Sequence, residues 1–146
     1  VTAVASLKEV PLLSCLNQRE LKRLAKNVRE ESFAAGTTVV REGKMSGVGF
    51  YIITDGEAEV SVDGDRIANL GQGDYFGELG LIASRARTAT VTSLTPLTCL
   101  VMATWELREL VQSSPETAWK LLQHVTDLLA EERAKGSGGL KAAGAG

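Results

Sequence analysis

Histidine is nearly missing from this chain: His124 is the one copy in 146 residues. That scarcity excludes the clusters of several histidines and a carboxylate with which metal-dependent oxygenases and isomerases hold a catalytic ion. No acid or nucleophile is set out beside His124 in a way that would build a Ser/His/Asp or Cys/His centre, so the sequence does not read as an enzyme. Cysteine is scarce too. Cys15 and Cys99 lie in no metal-binding spacing and read as reduced core thiols of a cytoplasmic protein, with an extracellular disulfide as the lesser reading. Neither sign of charge dominates: 16 Lys and Arg against 18 Asp and Glu leave a net charge of −2. The whole chain is therefore not drawn to nucleic acid or anionic lipid, and any anion must be held by a local site. No apolar run approaches the roughly 20 residues that span a bilayer, and no signal-peptide pattern opens the chain. The first residue is Val1, not methionine, as expected of a piece of a longer protein.

Hydrophobic residues make up 44% and charged residues 23%, enough for one ordinary hydrophobic core. Three zones follow one another. Leu7 to Arg29 reads as helical, with Leu12, Leu13, Leu16, Leu21, Leu24, Ala25 and Val28 at helical spacing, and Asn17 as N-cap of a stretch from Gln18 to Val28. From Ser32 to Met102 the period changes. Thr37–Val40, Phe50–Thr54, Glu57–Val62 and Thr88–Ser93 read as strands, and Asp55-Gly56 and Asp63-Gly64 as hairpin turns. Thr104 then caps a short helix to Val111. Ser114 before Pro115 opens a long helix to about Lys135, with an apolar stripe of Ala118, Leu121, Leu122, Val125, Leu128 and Leu129. Packing on the sheet is the plainer use of that stripe, and a homodimer seam is the other. Trp105 and Trp119 read as packing residues at helix starts. The expected architecture is α+β: an antiparallel β-roll between N-terminal helices and a short plus a long C-terminal helix. Residues 1–135 form one domain, and 136–146 form a flexible Gly/Ala-rich tail.

The chemistry concentrates in Gly73-Asp74-Tyr75-Phe76-Gly77-Glu78-Leu79-Gly80-Leu81-Ile82 and Arg87-Thr88-Ala89-Thr90-Val91. Gly77 lets backbone approach a ligand closely. A short helical turn from Glu78 to Ile82 would present unpaired N–H groups to an anion, and the Arg87 guanidinium suits phosphate oxygens. A carboxylate at position 78 repels that anion unless it accepts a hydrogen bond from a neighbouring hydroxyl. A 3′,5′-cyclic nucleotide holds a phosphate and a ribose 2′-OH in the required proximity.

Phe76-Gly77-Glu78-Leu79 followed by Arg87-Thr88-Ala89-Thr90-Val91 resembles the phosphate-binding cassette of cyclic nucleotide-binding domains. This is the fold of the catabolite activator protein, protein kinase A regulatory subunits and cyclic nucleotide-gated channels. The resemblance runs from about Leu7 to Lys135. It implies that Gly77 and Leu79 offer backbone N–H groups, Glu78 takes the 2′-OH, and Arg87 takes the phosphate. Thr88 and Ala89 would add N–H groups, while Val60 and Ile67 match an apolar wall beside the purine. The long helix would be a lid, with Glu132 or Arg133 near the base edge. Ala86 stands where many members have proline, which loosens the turn and removes no ligand contact. The implied function is a cAMP or cGMP sensor with no other cofactor, no nucleic-acid partner and no membrane contact through this chain. Only Gly136 to Gly146 follow the long helix in this sequence and no recognition helix fits there, so a DNA-binding helix-turn-helix is expected, if anywhere, in a longer parent. The competing reading is a β-roll scaffold that has lost the nucleotide and serves protein–protein contact, with Glu78 and Arg87 as an ion pair closing the roll.

Overall fold

The computed structural model describes residues 3–43, 49–77, 89–103 and 105–135. Helix α1 (Ala3–Lys8), a 3₁₀ turn (Pro11–Leu13) and α2 (Gln18–Ala25) precede eight strands: β1 (Arg29–Phe33), β2 (Thr38–Val40), β3 (Gly49–Asp55), β4 (Ala58–Val62), β5 (Asp65–Leu70), β6 (Tyr75–Phe76), β7 (Thr90–Ser93) and β8 (Leu97–Ala103). Helices α3 (Trp105–Ser113) and α4 (Pro115–Lys135) follow. The strands form two four-stranded antiparallel sheets, ordered β1-β8-β3-β6 and β2-β7-β4-β5. This is the expected roll with helices at both ends of the sequence.

Strand β3 shows how the layers are built. Successive side chains of a strand point to opposite faces. Tyr51 and Ile53 enter a core inside the roll with Val60, Phe76, Val91, Leu97, Cys99 and Val101. Phe50 and Ile52 point the other way, into a second core with Leu7, Leu13, Leu21, Leu24, Leu107 and Leu121 of the helices. β8 repeats the pattern, with Cys99 and Val101 inward and Met102 against the helices. Both strands are buried on two faces, which is why each is a nearly continuous apolar run. Each large side chain buried this way contributes about 1.5–3 kcal/mol. Cys99 is a free thiol in the roll. Burial, with help from the Glu31 charge, pushes its pKa up to about 12.

Several expectations change. The first helical zone ends at Ala25, and Arg29, expected at the end of a helix, starts β1. That strand pairs with β8 from Arg29↔Val101 to Phe33↔Leu97. It is an edge strand, so its charged residues face water and hide the alternation. Asp63-Gly64 is a hairpin turn as expected, with φ of 52° and 84° at its two residues, and Val62 pairs with Asp65 across it. Asp55-Gly56 is not a hairpin: β3 and β4 belong to different sheets, so this turn carries the chain from one sheet to the other. Trp105 and Trp119 lie at helix starts but are exposed rather than packed. Of the α4 stripe, Leu121 is buried while Leu122 and Leu129 face solvent. Ser114 caps α4, accepting from the Thr117 N–H at 3.3 Å. Thr104 and the 136–146 tail lie outside the described residues.

Candidate ligand-binding site

The site residues depend on a turn, a bulge and two strands of the second sheet. At the turn, Asp74 accepts from the Gly71 N–H at 2.8 Å. Gly73 N–H donates to Ile53 O, and Ile53 N–H to Asp74 O, both at 2.8 Å. These bonds dock β6 on β3, and Phe76 then stacks on Tyr51 with ring centroids 4.8 Å apart and 8° between planes. The chain reaches Gly77 directly from that buried pair. Gly77 is itself buried and has φ +88°, a left-handed conformation that favours glycine. On the far side of residues 78–88, Ala89 is fully buried in the roll core beside Val91. The stretch expected to hold the ligand is thus entered and left at two buried points.

Val60 lies in the same core cluster as Phe76 and Ala89, paired with Val91 on one side and Ala68 on the other. Ile67 is different. The β4–β5 register passes from Val60↔Ala68 to Ser61↔Arg66, which leaves Ile67 as the extra residue of a β-bulge, 51% exposed. Val60 and Ala89 therefore share the roll core with Phe76, the residue before Gly77, while Ile67 stands outside that core. Glu78, Leu79, Arg87 and Thr88 lie outside the described residues.

Supporting residues that the sequence did not single out hold the frame. The Ser93 hydroxyl, buried, donates to Ala34 O at 2.7 Å and accepts from Thr37 N–H at 2.9 Å, fastening the start of β2 to β7. Thr90 accepts from Glu42 N–H at 2.9 Å, and the Glu42 carboxylate accepts from Asp63 N–H at 2.9 Å. This links the chain before the 44–48 segment to both β7 and the β4–β5 turn. Only Gly43, with φ +83°, hints at this turn in the sequence.

The first half of α4 is tied to the N-terminal helices along one face. Glu20 is the hub. It completes the α2 capping box with Asn17, through Oε1 and the Asn17 N–H at 2.8 Å and through Asn17 Oδ1 and the Glu20 N–H at 2.8 Å. The same carboxylate accepts from Lys120 Nζ at 2.7 Å and from the Thr117 hydroxyl. Burial acts to raise its pKa, but Lys120, Thr117 and the Asn17 amide outweigh burial and hold it below the ordinary carboxylate value. One turn on, His124 Nε2 lies 2.6 Å from Pro11 O and 3.3 Å from Ser14 Oγ. Beyond it, Glu132 is half-buried and Arg133 exposed. The helix thus presents Trp119, Leu122 and Leu129 outward, beside an apolar groove of about 310 Å³ lined by Leu107, Val111, Leu121 and Val125. Among the described residues no helix is long and apolar enough to cross a membrane, and no group of His, Cys, Asp and Glu could hold a metal ion.

Comparison with known proteins agrees with this architecture. The family model "Cyclic nucleotide-binding domain" matches residues 30–114. The chain is 45% identical over 93 residues to a cAMP-dependent protein kinase regulatory subunit of Yarrowia lipolytica, covering 62% of this chain and 24% of that protein. It is 35% identical over 108 residues to cGMP-dependent protein kinase, isozyme 1, of Drosophila melanogaster, covering 68% of this chain and 14% of that protein. It therefore spans a quarter or less of the length of these curated relatives. Among solved structures it resembles the N-terminal domain of a transcriptional regulator from Streptomyces coelicolor A3(2), with a TM-score of 0.75, 26% identity, and coverage of 92% of this chain and 99% of that one. With more than half of its residues matched by that model and the roll and flanking helices in place, the chain belongs to the cyclic nucleotide-binding domain family.

Proposed function

We propose that this chain is a regulatory sensor module that binds a 3′,5′-cyclic nucleotide, cAMP or cGMP, and that it is not itself an enzyme. The observation that carries this reading is the family match over the roll, together with the buried anchors Gly77 and Ala89 that bracket Glu78 and Arg87. In this reading Arg87 takes the cyclic phosphate, Glu78 the 2′-OH, and the N–H groups of Gly77, Leu79, Thr88 and Ala89 complete the anion site. Val60 backs the purine from the roll core, with Ile67 at the bulge. Relatives named for cAMP and for cGMP both occur, so the base is left to measurement. Ligand binding shifts the population between two packings of α4, whose outward Leu122 and Leu129 serve as lid or as the seam of a homodimer. The reading carries a cytoplasmic location, no further cofactor and no nucleic-acid contact through this chain.

Removing the phosphate partner tests the assignment. In a calorimetric titration Arg87→Ala is expected to weaken cyclic nucleotide binding by about 2–5 kcal/mol, the cost of leaving a buried charge unpaired. Affinity equal to the wild type would remove Arg87 from the site.

A further inference from the structure

Helix α2 and its C-cap residue Lys26 concentrate positive charge that the nucleotide site does not use. Arg19, Lys22, Arg23 and Lys26 occupy about two turns and are all exposed, while Leu21 and Leu24 between them are buried. Among the described residues the ion pairs are Arg29–Glu31 and Lys120–Glu20, so none of these four cations is neutralised by a carboxylate. In a chain of net charge −2 this is a local positive field.

Arg19 and Arg23, one helical turn apart and so on the same side of α2, line a polar cleft of about 670 Å³. It lies between α2 and the α3–α4 junction, with Ser113, Ser114, Thr117 and Lys120 on its other walls. The Arg23 guanidinium donates to Ser113 Oγ at 2.8 Å, which fixes it across the cleft and leaves its other N–H groups for a ligand. Lys120 is committed to Glu20. Two guanidinium forks on one wall of a polar cleft match the oxygens of a phosphate ester.

We propose that this cleft docks a phosphorylated acidic segment of a partner protein, its phosphate between Arg19 and Arg23 and its carboxylates along Lys22 and Lys26. A membrane surface fits less well. The exposed side chains of α2 are polar throughout, and the exposed large apolar side chains of the helices, Trp105, Trp119, Leu122 and Leu129, belong to α3 and α4. A helix that lies in a membrane interface needs an apolar face to bury. Two carboxylates also line the cleft: Glu20 is paired with Lys120, whereas Glu116 opposes an anion there and so supplies a second handle.

The test is fluorescence anisotropy with a labelled peptide of about eight residues, one phosphoserine flanked by glutamates. Its unphosphorylated twin and phosphatidylserine vesicles are run in parallel. The phosphopeptide is expected to bind with an affinity that falls as salt rises, roughly tenfold tighter than its twin. Binding is expected to be lost in Arg19→Glu/Arg23→Glu, weakened in Arg19→Gln, and strengthened in Glu116→Gln. Thermal melts confirm that the variants fold, and Glu116→Gln leaves every cation in place. Equal binding by wild type and Arg19→Glu/Arg23→Glu overturns the proposal. So does a protein that ignores the peptide, or that ignores the peptide and sediments with the vesicles.

Discussion

Replacing Glu20 by alanine should destabilise the fold by about 3 kcal/mol. The figure comes from three contacts of unequal weight. The carboxylate half of the capping box is worth about 1 kcal/mol. The hydrogen bond from the Thr117 hydroxyl ends on a charged acceptor whose side chain is only 12% exposed, and such a bond is worth about 1.5 kcal/mol. The Lys120 partner is 37% exposed, so that ion pair is screened and adds about 0.5 kcal/mol. In a chain of this length each kcal/mol moves the midpoint by about 3 °C, which gives a fall of roughly 6–12 °C. Glu20→Gln should cost about half as much, because the amide oxygen still accepts from Asn17. The folded carboxyl titrates below its ordinary value of 4.5. Its charge therefore contributes stability that is fully present above that value and is lost as pH falls through the lower, folded one. Thermal melts followed by circular dichroism should show the gap between wild type and Glu20→Gln intact at neutral pH and closing as pH drops below 4.5. Melts of wild type and Glu20→Ala that coincide, or a Gln gap that persists undiminished in acid, would refute the reasoning.

Two further perturbations address the crossover and the site. Gly56→Ala combines a φ of +96° with a new Cβ 2.2 Å from the Pro96 carbonyl oxygen, whereas Gly64→Ala, at φ +84°, meets nothing within 4 Å. Urea unfolding should show a loss of about 1 kcal/mol at Gly64, the left-handed penalty alone, and a clearly larger one at Gly56; equal losses would mean the contact with Pro96 is harmless. Glu78→Gln should weaken binding of the ribonucleotide roughly tenfold, the worth of a bond to a charged acceptor, and spare its 2′-deoxy analogue. Equal losses for both ligands would take Glu78 off the 2′-OH.

What the sequence made legible was local. Asp63-Gly64 specifies a two-residue turn through its own backbone preferences, and Ser114-Pro115 specifies a helix start in the same way. What stayed hidden depends on partners far along the chain. β1 reads Arg-Glu-Glu-Ser-Phe because its surroundings are water on an edge, and only pairing with β8, nearly 70 residues away, makes it a strand. β8 has the opposite problem: buried on both faces, it has no alternation to read. Asp55-Gly56 carries a hairpin signal, yet the strands it joins find partners in different sheets. Nothing local marks Glu20 as a hub, because its tie to Thr117 and Lys120 crosses about 100 residues. In the candidate site the motif from Gly77 to Ala89 was plain. The bulge that sets Ile67 apart from Val60 was not, since register belongs to the folded sheet.

The central claim is that the roll binds a cyclic nucleotide, and isothermal titration of the wild-type chain with cAMP and with cGMP tests it most directly. The account predicts saturable heat at one ligand per chain for at least one of the two, with the tighter one naming the preferred base. Protein freed of any co-purified nucleotide that gives no heat and no thermal stabilisation with either ligand would contradict it, and would leave a β-roll scaffold in its place.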